Sequence, residues 1–322
     1  MGHWSRRGAL AWLLWPASLA FGVVVFFRRL FFRLRLFRSH DAGIPVIVVG
    51  NLTVGGSGKT PLVLWIAHFL RREGWRPGVV SRGYGAKAGE PREASIASDP
   101  AEVGDEPIVL ARRSGCPVWV AADRAEACRR LRVAHPQCDV IVSDDGLQHY
   151  ALRRKLEICV VDSRGFGNSL LLPAGPLREP RSRLGSVDAV VSHAAPGVEG
   201  YRMTLEGESL VRYTDARDVR PAASFAGQAV HAVAGIGDPE RFFLQLERCG
   251  LKIRPHPFAD HHAFTAADLE FGDEAPVVMT EKDAVKCKPF AKAHYWIFPV
   301  SASLDPAFGR WLLERLGGPK AA

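Results

Sequence analysis

Three observations predict an α/β fold centred on a mostly parallel sheet. Strand-like apolar runs alternate with helix-like segments along the chain, a glycine-rich turn ending in Gly58-Lys59-Thr60 separates the first run from the first helix, and the alternation restarts at Val230. Such alternation covers a parallel sheet with helices on both faces and gathers ligands at the carboxyl ends of the strands. A length of 322 residues fits one large or two medium domains. The boundaries read as an N-terminal membrane-associated helix over 1–40, a phosphate-loop α/β domain over 41–200, a short β linker over 201–226 and a second, smaller α/β domain over 227–322.

Charge is concentrated at the N-terminus. Residues 1–38 carry seven arginines (Arg6, Arg7, Arg28, Arg29, Arg33, Arg35, Arg38) and no acid, against a formal net charge of +8 for the whole chain. The body is close to neutral, so the basic balance points to an anionic membrane surface and away from nucleic acid. Gly8 to Phe27 is apolar, and the following stretch to Arg38 interleaves arginines with Leu and Phe. A cleavable signal peptide fits poorly, because the apolar run continues past Ser18-Leu19-Ala20 and export would remove the chain from cytosolic nucleotide. The run is just long enough to cross a bilayer, yet Pro16 and arginines at both ends weaken a crossing. An interfacial helix with snorkelling arginines accounts for both halves of the segment. Both readings place the chain on the cytoplasmic side of a membrane. The six cysteines are scattered without a CxxC pair, as expected of small buried residues in a reducing compartment.

Beyond the anchor, strands are expected at Val46–Val49, Pro77–Val80, Val118–Ala121, Val140–Val142, Ile158–Val161 and Ala189–Val191. Helices are expected from Pro61 to about Glu73, around Glu106–Arg113 and over Arg124–Val133. Tyr201–Tyr213 alternates polar and apolar residues around Gly207 and reads as a short two-stranded connection. The second unit then runs through Val230–Val233, a turn at Gly235-Ile236-Gly237-Asp238-Pro239, a helix over Glu240–Cys249, strands at Pro276–Met279 and Tyr295–Val300, and a last helix over Pro306–Leu316. The pair Gly235 and Gly237 does not complete GxGxxG, since Glu240 holds the last position; a tight strand-to-helix turn is the better reading.

The run Thr53-Val54-Gly55-Gly56-Ser57-Gly58-Lys59-Thr60 lies between a strand pattern and a helix pattern, where a phosphate-binding loop belongs. Backbone N–H groups of such a loop close around phosphate oxygens, the lysine reaches the outer phosphates, and the threonine hydroxyl ligates Mg²⁺ at a helix N-terminus. Thr53 replaces the usual first glycine, so the loop is a variant. A second metal acid is expected at the end of a buried strand, and Val140-Ile141-Val142-Ser143-Asp144-Asp145 supplies one. Adjacent carboxylates there need a cation or donors to neutralise them. Gln148 and His149 follow and offer polar groups for phosphate or nucleophile. A switch GTPase is disfavoured: Asp144-Asp145-Gly146 has the wrong spacing, and Thr280-Glu281-Lys282-Asp283 places glutamate where that class has lysine.

Seven motifs in order carry a specific resemblance: Gly50 to Pro61, Ser81-Arg82-Gly83-Tyr84-Gly85, Gly104-Asp105-Glu106-Pro107, Asp144 to His149, Pro173-Ala174-Gly175-Pro176-Leu177-Arg178-Glu179-Pro180, Asp260-His261-His262 and Thr280 to Asp283. Together they resemble the tetraacyldisaccharide 4'-kinases, the lipid A kinases of Gram-negative bacteria, from the N-terminal helix to about residue 290. The resemblance implies a P-loop kinase of two lobes that uses MgATP to phosphorylate the 4'-hydroxyl of a tetraacyldisaccharide 1-phosphate at the inner membrane. A lipid acceptor that stays in the bilayer would explain the anchor.

Carried over by position, the resemblance implies that Lys59 holds the β- and γ-phosphates, that Thr60 with Asp144 or Asp145 serves the metal, and that Glu179 joins this metal or phosphate cluster. It implies Asp105 as the catalytic carboxylate and His261 as its partner, with the histidine orienting the carboxylate that takes the hydroxyl proton. Arg82, Arg124 and Arg178, with Gln148 and His149, are candidates for the lipid phosphate or nucleotide; for Arg82 and Arg124 a solvated salt bridge is equally open. The partners implied are the lipid disaccharide and the membrane surface, with neither nucleic acid nor an obligate protein partner. The alternative class is a membrane-tethered P-loop ATPase that drives a protein partner.

Overall fold

The computed structural model describes residues 4–83 and 90–320. Tyr84 and Gly85 of the Ser81 to Gly85 motif lie outside the described residues. A 25-residue helix, α1 (Ala9–Arg33), comes first. The first half of the body then follows as β1 (Val46–Gly50), α2 (Lys59–Arg72), β2 (Pro77–Ser81), β3 (Arg92–Ala94), α3 (Pro100–Val103), α4 (Asp105–Ser114), β4 (Val118–Val120), α5 (Arg124–Ala134), β5 (Val140–Ser143), β6 (Leu156–Val161), β7 (Ala189–Ser192) and β8 (Tyr201–Glu206). The remainder comprises β9 (Ser209–Arg212), β10 (Asp215–Pro221), β11 (Ala229–Ala234), α6 (Pro239–Arg248), β12 (Lys252–Pro257), β13 (Val277–Thr280), α7 (Glu281–Lys286), β14 (Tyr295–Phe298), β15 (Ser301–Leu304) and α8 (Pro306–Leu316).

Two sheets result. The larger has nine strands in the order β15-β8-β7-β6-β1-β5-β2-β4-β3. It is parallel except at its two edges, where β15 and β3 run antiparallel to β8 and β4. β1 pairs with β5 on one side and β6 on the other, Ile47 standing opposite both Val142 and Leu156. This is the point where the chain reverses its direction of build, and the crevice beyond the carboxyl end of β1 is therefore where a ligand belongs. Successive β1 residues serve opposite faces: Ile47 and Val49 pack with Leu62, Ile66 and Leu70 of α2, while Val46 and Val48 pack with Leu131 of α5 and Leu147. The smaller sheet, β10-β9-β14-β13-β11-β12, keeps a parallel half from β14 to β12. Phe242, Phe243 and Leu246 of α6 cover one of its faces.

Two expectations about organisation change. Tyr201–Tyr213 holds two strands that lead from one unit to the other, but each belongs to a different sheet: β8 pairs with β7 and β15 in the large sheet whereas β9 pairs with β10 and β14 in the small one. The chain crosses at Gly207, where a Cβ would stand 2.5 Å from the ring of Phe298. The end of the chain does not stay with the second unit either. β15 returns to the large sheet, and Phe308 and Leu312 of α8 join the core beneath α2, against Trp65 and Phe69. The second unit expected over 227–322 thus lends its last strand and helix to the first. Gly235–Asp238 is, as expected, a tight turn from β11 into α6.

α1 is long and apolar enough to cross a membrane. At 1.5 Å per residue it spans about 37 Å, against about 30 Å for a hydrocarbon core. One narrow face is fixed to the body: the Ser18 hydroxyl donates to Leu171 O at 2.8 Å and accepts from Ala174 N at 3.0 Å. Trp12, Leu13, Val24 and Phe26 are exposed. Large apolar side chains facing outward along a helix need an apolar solvent, and membrane association supplies it.

Candidate active site

The phosphate loop sits at the predicted place, after β1 and before α2. Gly58 precedes α2 with φ of 83°, and Gly55 has φ of 100°, left-handed values that favour glycine and let backbone N–H groups face one centre. The segment Pro173 to Arg178 braces the loop from outside: Val54 N donates to Pro176 O at 2.9 Å and Arg178 N to Leu52 O at 2.7 Å. The Ser57 hydroxyl and the Asn51 Oδ1 are buried without hydrogen-bond partners. Lys59 Nζ lies 3.6 Å from Asp145 Oδ1.

The two acids after β5 are in different states. Both oxygens of Asp144 are buried and unpartnered. Burial, reinforced by the carboxylates of Glu106 and Asp145, pushes its carboxyl up to about 7. Asp145, although burial works in the same direction, is held down at about 2 by Lys59 and Arg178. Arg178 Nη1 reaches its two oxygens at 3.1 and 3.0 Å, and Arg124 Nη2 donates to its backbone oxygen at 3.1 Å. Asp144 is the acid with vacant lone pairs; Asp145 is the counter-charge of the site's cations.

Across the cleft, His261 Nδ1 and Asp105 Oδ2 are 3.2 Å apart, though 156 residues separate them in sequence. Asp105 opens α4 behind Gly104, its Oδ1 accepting from Glu106 N at 2.9 Å. Burial raises its carboxyl, but the hydrogen bond from His261 with the charges of Lys282 and Lys286 outweighs this, and the net shift is downward. The bond to Asp105 raises His261, against burial and Lys282. Lys282 Nζ stands 3.2 Å from His261 Nε2, 3.3 Å from Asp260 and 3.4 Å from Glu106. A lysine ammonium only donates, so His261 Nε2 is the acceptor and Nδ1 carries the proton shared with Asp105. Arg113 of α4 closes the same seam, donating to Glu281 at 2.7 Å and to Val300 O at 2.7 Å. One cleft runs from Gly56–Thr60 to Glu106, Arg241 and Lys282.

A family model described as tetraacyldisaccharide-1-P 4'-kinase (LpxK) matches residues 10–317. The chain belongs to the tetraacyldisaccharide 4'-kinase family. It is 50% identical over 321 residues to the tetraacyldisaccharide 4'-kinase of Methylobacillus flagellatus, covering 98% of this chain and 96% of that one. It is 49% identical over 328 residues to the enzyme of Azoarcus sp., covering 99% and 96%. A crystal structure of "apo" form LpxK from Aquifex aeolicus in complex with ATP superposes with a TM-score of 0.79 at 27% identity, covering 95% of this chain and 99% of that one. As a tetraacyldisaccharide 4'-kinase the chain is a lipid kinase, performing ATP-dependent 4'-phosphorylation of tetraacyldisaccharide 1-phosphate in lipid A biosynthesis. A partner-driving ATPase is thereby set aside.

Within this kinase fold the remaining predicted residues separate. Glu179 is held by its neighbours: Tyr150 OH donates to one of its oxygens, Gln148 Nε2 to the other at 3.1 Å, and Arg183 Nε lies at 3.8 Å. These contacts orient Gln148 and leave each carboxylate oxygen a second lone pair. Gln148 also donates to Asn51 O at 3.1 Å, beneath the phosphate loop. His149 faces Asp123 at 3.4 Å, and burial with the Arg124 charge lowers it to about 4. Arg124 is itself buried, which brings its guanidinium down to about 10, with Arg82 adding repulsion. Arg124 is therefore no solvated surface pair, and it joins the segment after β4, at Ala122 O, to the Asp145 turn. The sequence reasoning passed over Glu106, Asp260 and Lys282 as site residues, although each lay inside a quoted motif, because their roles depend on a meeting of the two units. Asp162, Arg164 and Arg241 carried no motif signal.

Proposed function

We propose that this chain, anchored by α1 at the cytoplasmic face of the inner membrane, transfers the γ-phosphoryl group of MgATP to its lipid acceptor with His261 as the base. The observation that carries the proposal is the 3.2 Å contact of His261 Nδ1 with Asp105, made beside Glu106 and Lys282 of the phosphate-loop cleft. In this proposal His261 takes the proton, where the resemblance implies that Asp105 takes it and His261 orients the carboxylate. Asp105 is buried, spends one oxygen on Glu106 N and the other on His261, and is a weaker base than an ordinary carboxylate. His261 is the more exposed partner and the stronger base, with Nε2 as its lone-pair atom. As the 4'-oxygen bonds to γ-phosphorus, Lys282 releases Nε2 and the hydroxyl proton passes to that atom. The bond from γ-phosphorus to the β,γ-bridging oxygen breaks, and ADP departs with that electron pair. Asp105 then stabilises the imidazolium.

Nucleotide and metal are supported by the donor set. Gly55–Thr60 supplies the phosphate cradle, and the solved relative was crystallised with ATP. The two unpartnered oxygens of Asp144, with Thr60 in the first turn of α2, fit a hard divalent cation. Among the described residues no group of three or more His, Cys, Asp or Glu could cage a metal, which suits Mg²⁺ held by one carboxylate, phosphates and water. Such a cation would neutralise charge on the β- and γ-phosphates. Lys59 shifts from Asp145 to those phosphates, and Arg178 and Arg124 keep Asp145 neutralised. The test is Lys59→Ala: transfer of labelled phosphate to the disaccharide lipid should vanish with the melting temperature unchanged, and near-parent turnover would contradict the proposal.

A further inference from the structure

Two arginines outside every quoted motif converge on the phosphate loop, one from each unit. The first follows β6. Asp162 is 2% exposed, and its carboxylate accepts from Arg164 N at 3.1 Å and from Arg164 Nε at 3.0 Å. So held, Arg164 lies on the loop: Nη2 donates to Gly56 O, and a Cβ built on Gly55 would stand 3.2 Å from Nη1. The second arginine comes from the other unit. The β11–α6 turn packs on the same loop, a Cβ on Gly237 standing 3.0 Å from Gly56 N. Arg241, in the first turn of α6, lines the cleft with Gly56, Ser57, Gly58, Lys59 and Thr60. Its Nη1 is buried with no hydrogen-bond partner. Burial lowers its proton affinity, Asp238 and Asp162 restore part of it, and Arg164 is close enough to add repulsion.

A buried guanidinium N–H left unpaired costs free energy until an acceptor arrives. Two guanidiniums that repel across a glycine turn are relieved by an anion placed between them. The cleft places that anion: Lys59 and the α2 N-terminus lie at one end, and Lys282 and Glu106, neighbours of the Asp105–His261 pair, lie at the other. The phosphate between loop and acceptor is the terminal one. We propose that Arg164 and Arg241 form a two-armed clamp on the terminal phosphate of the nucleoside triphosphate, one arm from each unit. The clamp rests on the kinase reading and adds to it. Planar donors from two sides suit a phosphoryl group whose equatorial oxygens carry the charge during transfer, and the Arg241 arm makes closure of the two units depend on that phosphate.

The test is titration of the full chain in detergent micelles with MgATP and, separately, MgADP, for the parent, Arg164→Gln, Arg241→Gln and Arg241→Lys. Loss of a charge-assisted contact to the terminal phosphate should weaken ATP by roughly tenfold or more while ADP stays within about twofold, so the preference for ATP collapses in both Gln variants. Arg241→Lys should not restore it, since a lysine lacks the planar fork. Comparing two nucleotides on one preparation removes the effect of any misfolded fraction. An unchanged ATP-to-ADP preference in the Gln variants, whether both nucleotides weaken or neither does, overturns the clamp. A parent protein that binds neither nucleotide would instead bring down the kinase reading.

Discussion

Asp144 and Asp145 are chemically identical neighbours that the fold puts to different uses. Asp144, buried with two vacant oxygens, awaits a cation, whereas Asp145 already answers Lys59, Arg178 and Arg124. Asp144→Asn should therefore lower kcat by orders of magnitude and blunt the response to Mg²⁺. Asp145→Asn should chiefly lower KM for ATP, because Lys59 and the arginines lose the counter-charge that competes with the phosphates; Mg²⁺ titrations of both variants that match the parent would contradict this division. The Asp105–His261 pair makes two further predictions. Groups that act as one unit are non-additive, so Asp105→Ala with His261→Ala should be scarcely slower than the worse single variant; losses that multiply would mean separate roles. A base works unprotonated, so kcat/KM should rise with pH through a value above the ordinary 6.5, because Asp105 raises His261. Asp105→Asn removes the largest raising contribution and should shift that limb to lower pH. A limb that stays in place would mean another group is titrating.

At the scale of elements, legibility followed burial. β1, β2, β5 and β6 are largely buried and read as apolar runs, broken in β6 only by Glu157, so their positions were readable to within about two residues. Edge strands were not. β12 contains Pro255 and Pro257 and is largely exposed, which reads as loop because a proline cannot donate within a ladder; it is tolerated only where one strand edge is free. β15 is short and polar, and nothing local shows that it pairs with β8 almost a hundred residues earlier. The helix α1 was legible from composition alone, and its contact to the body through Ser18 was not. Deleting residues 1–38 should move the protein to the soluble fraction and cut activity on bilayer-embedded acceptor by more than it cuts ATP binding. An unchanged membrane fraction would place the anchor elsewhere.

At the scale of the molecule, the site exists only because two sheets share a cleft. Local pattern located the phosphate loop and the acids after β5, since a strand, a turn and a helix N-terminus are all written in consecutive residues. It could not locate Lys282 beside Glu106, or Arg164 and Arg241 by one glycine turn, because these meetings join residues from separate units. β15 and α8 tie the second unit back onto the first, and Arg113 with Glu281 stitches the seam, so the base and the phosphate loop are held on one frame. This frame carries a phosphoryl group from ATP to a lipid hydroxyl. The most direct test incubates the full chain with γ-labelled ATP, Mg²⁺ and tetraacyldisaccharide 1-phosphate in micelles, then maps the labelled lipid. Label on the 4'-oxygen, one ADP formed per lipid phosphorylated, and loss of both on omitting the lipid are the predicted results; ATP turnover that proceeds at the same rate without the lipid and leaves it unlabelled would contradict the account.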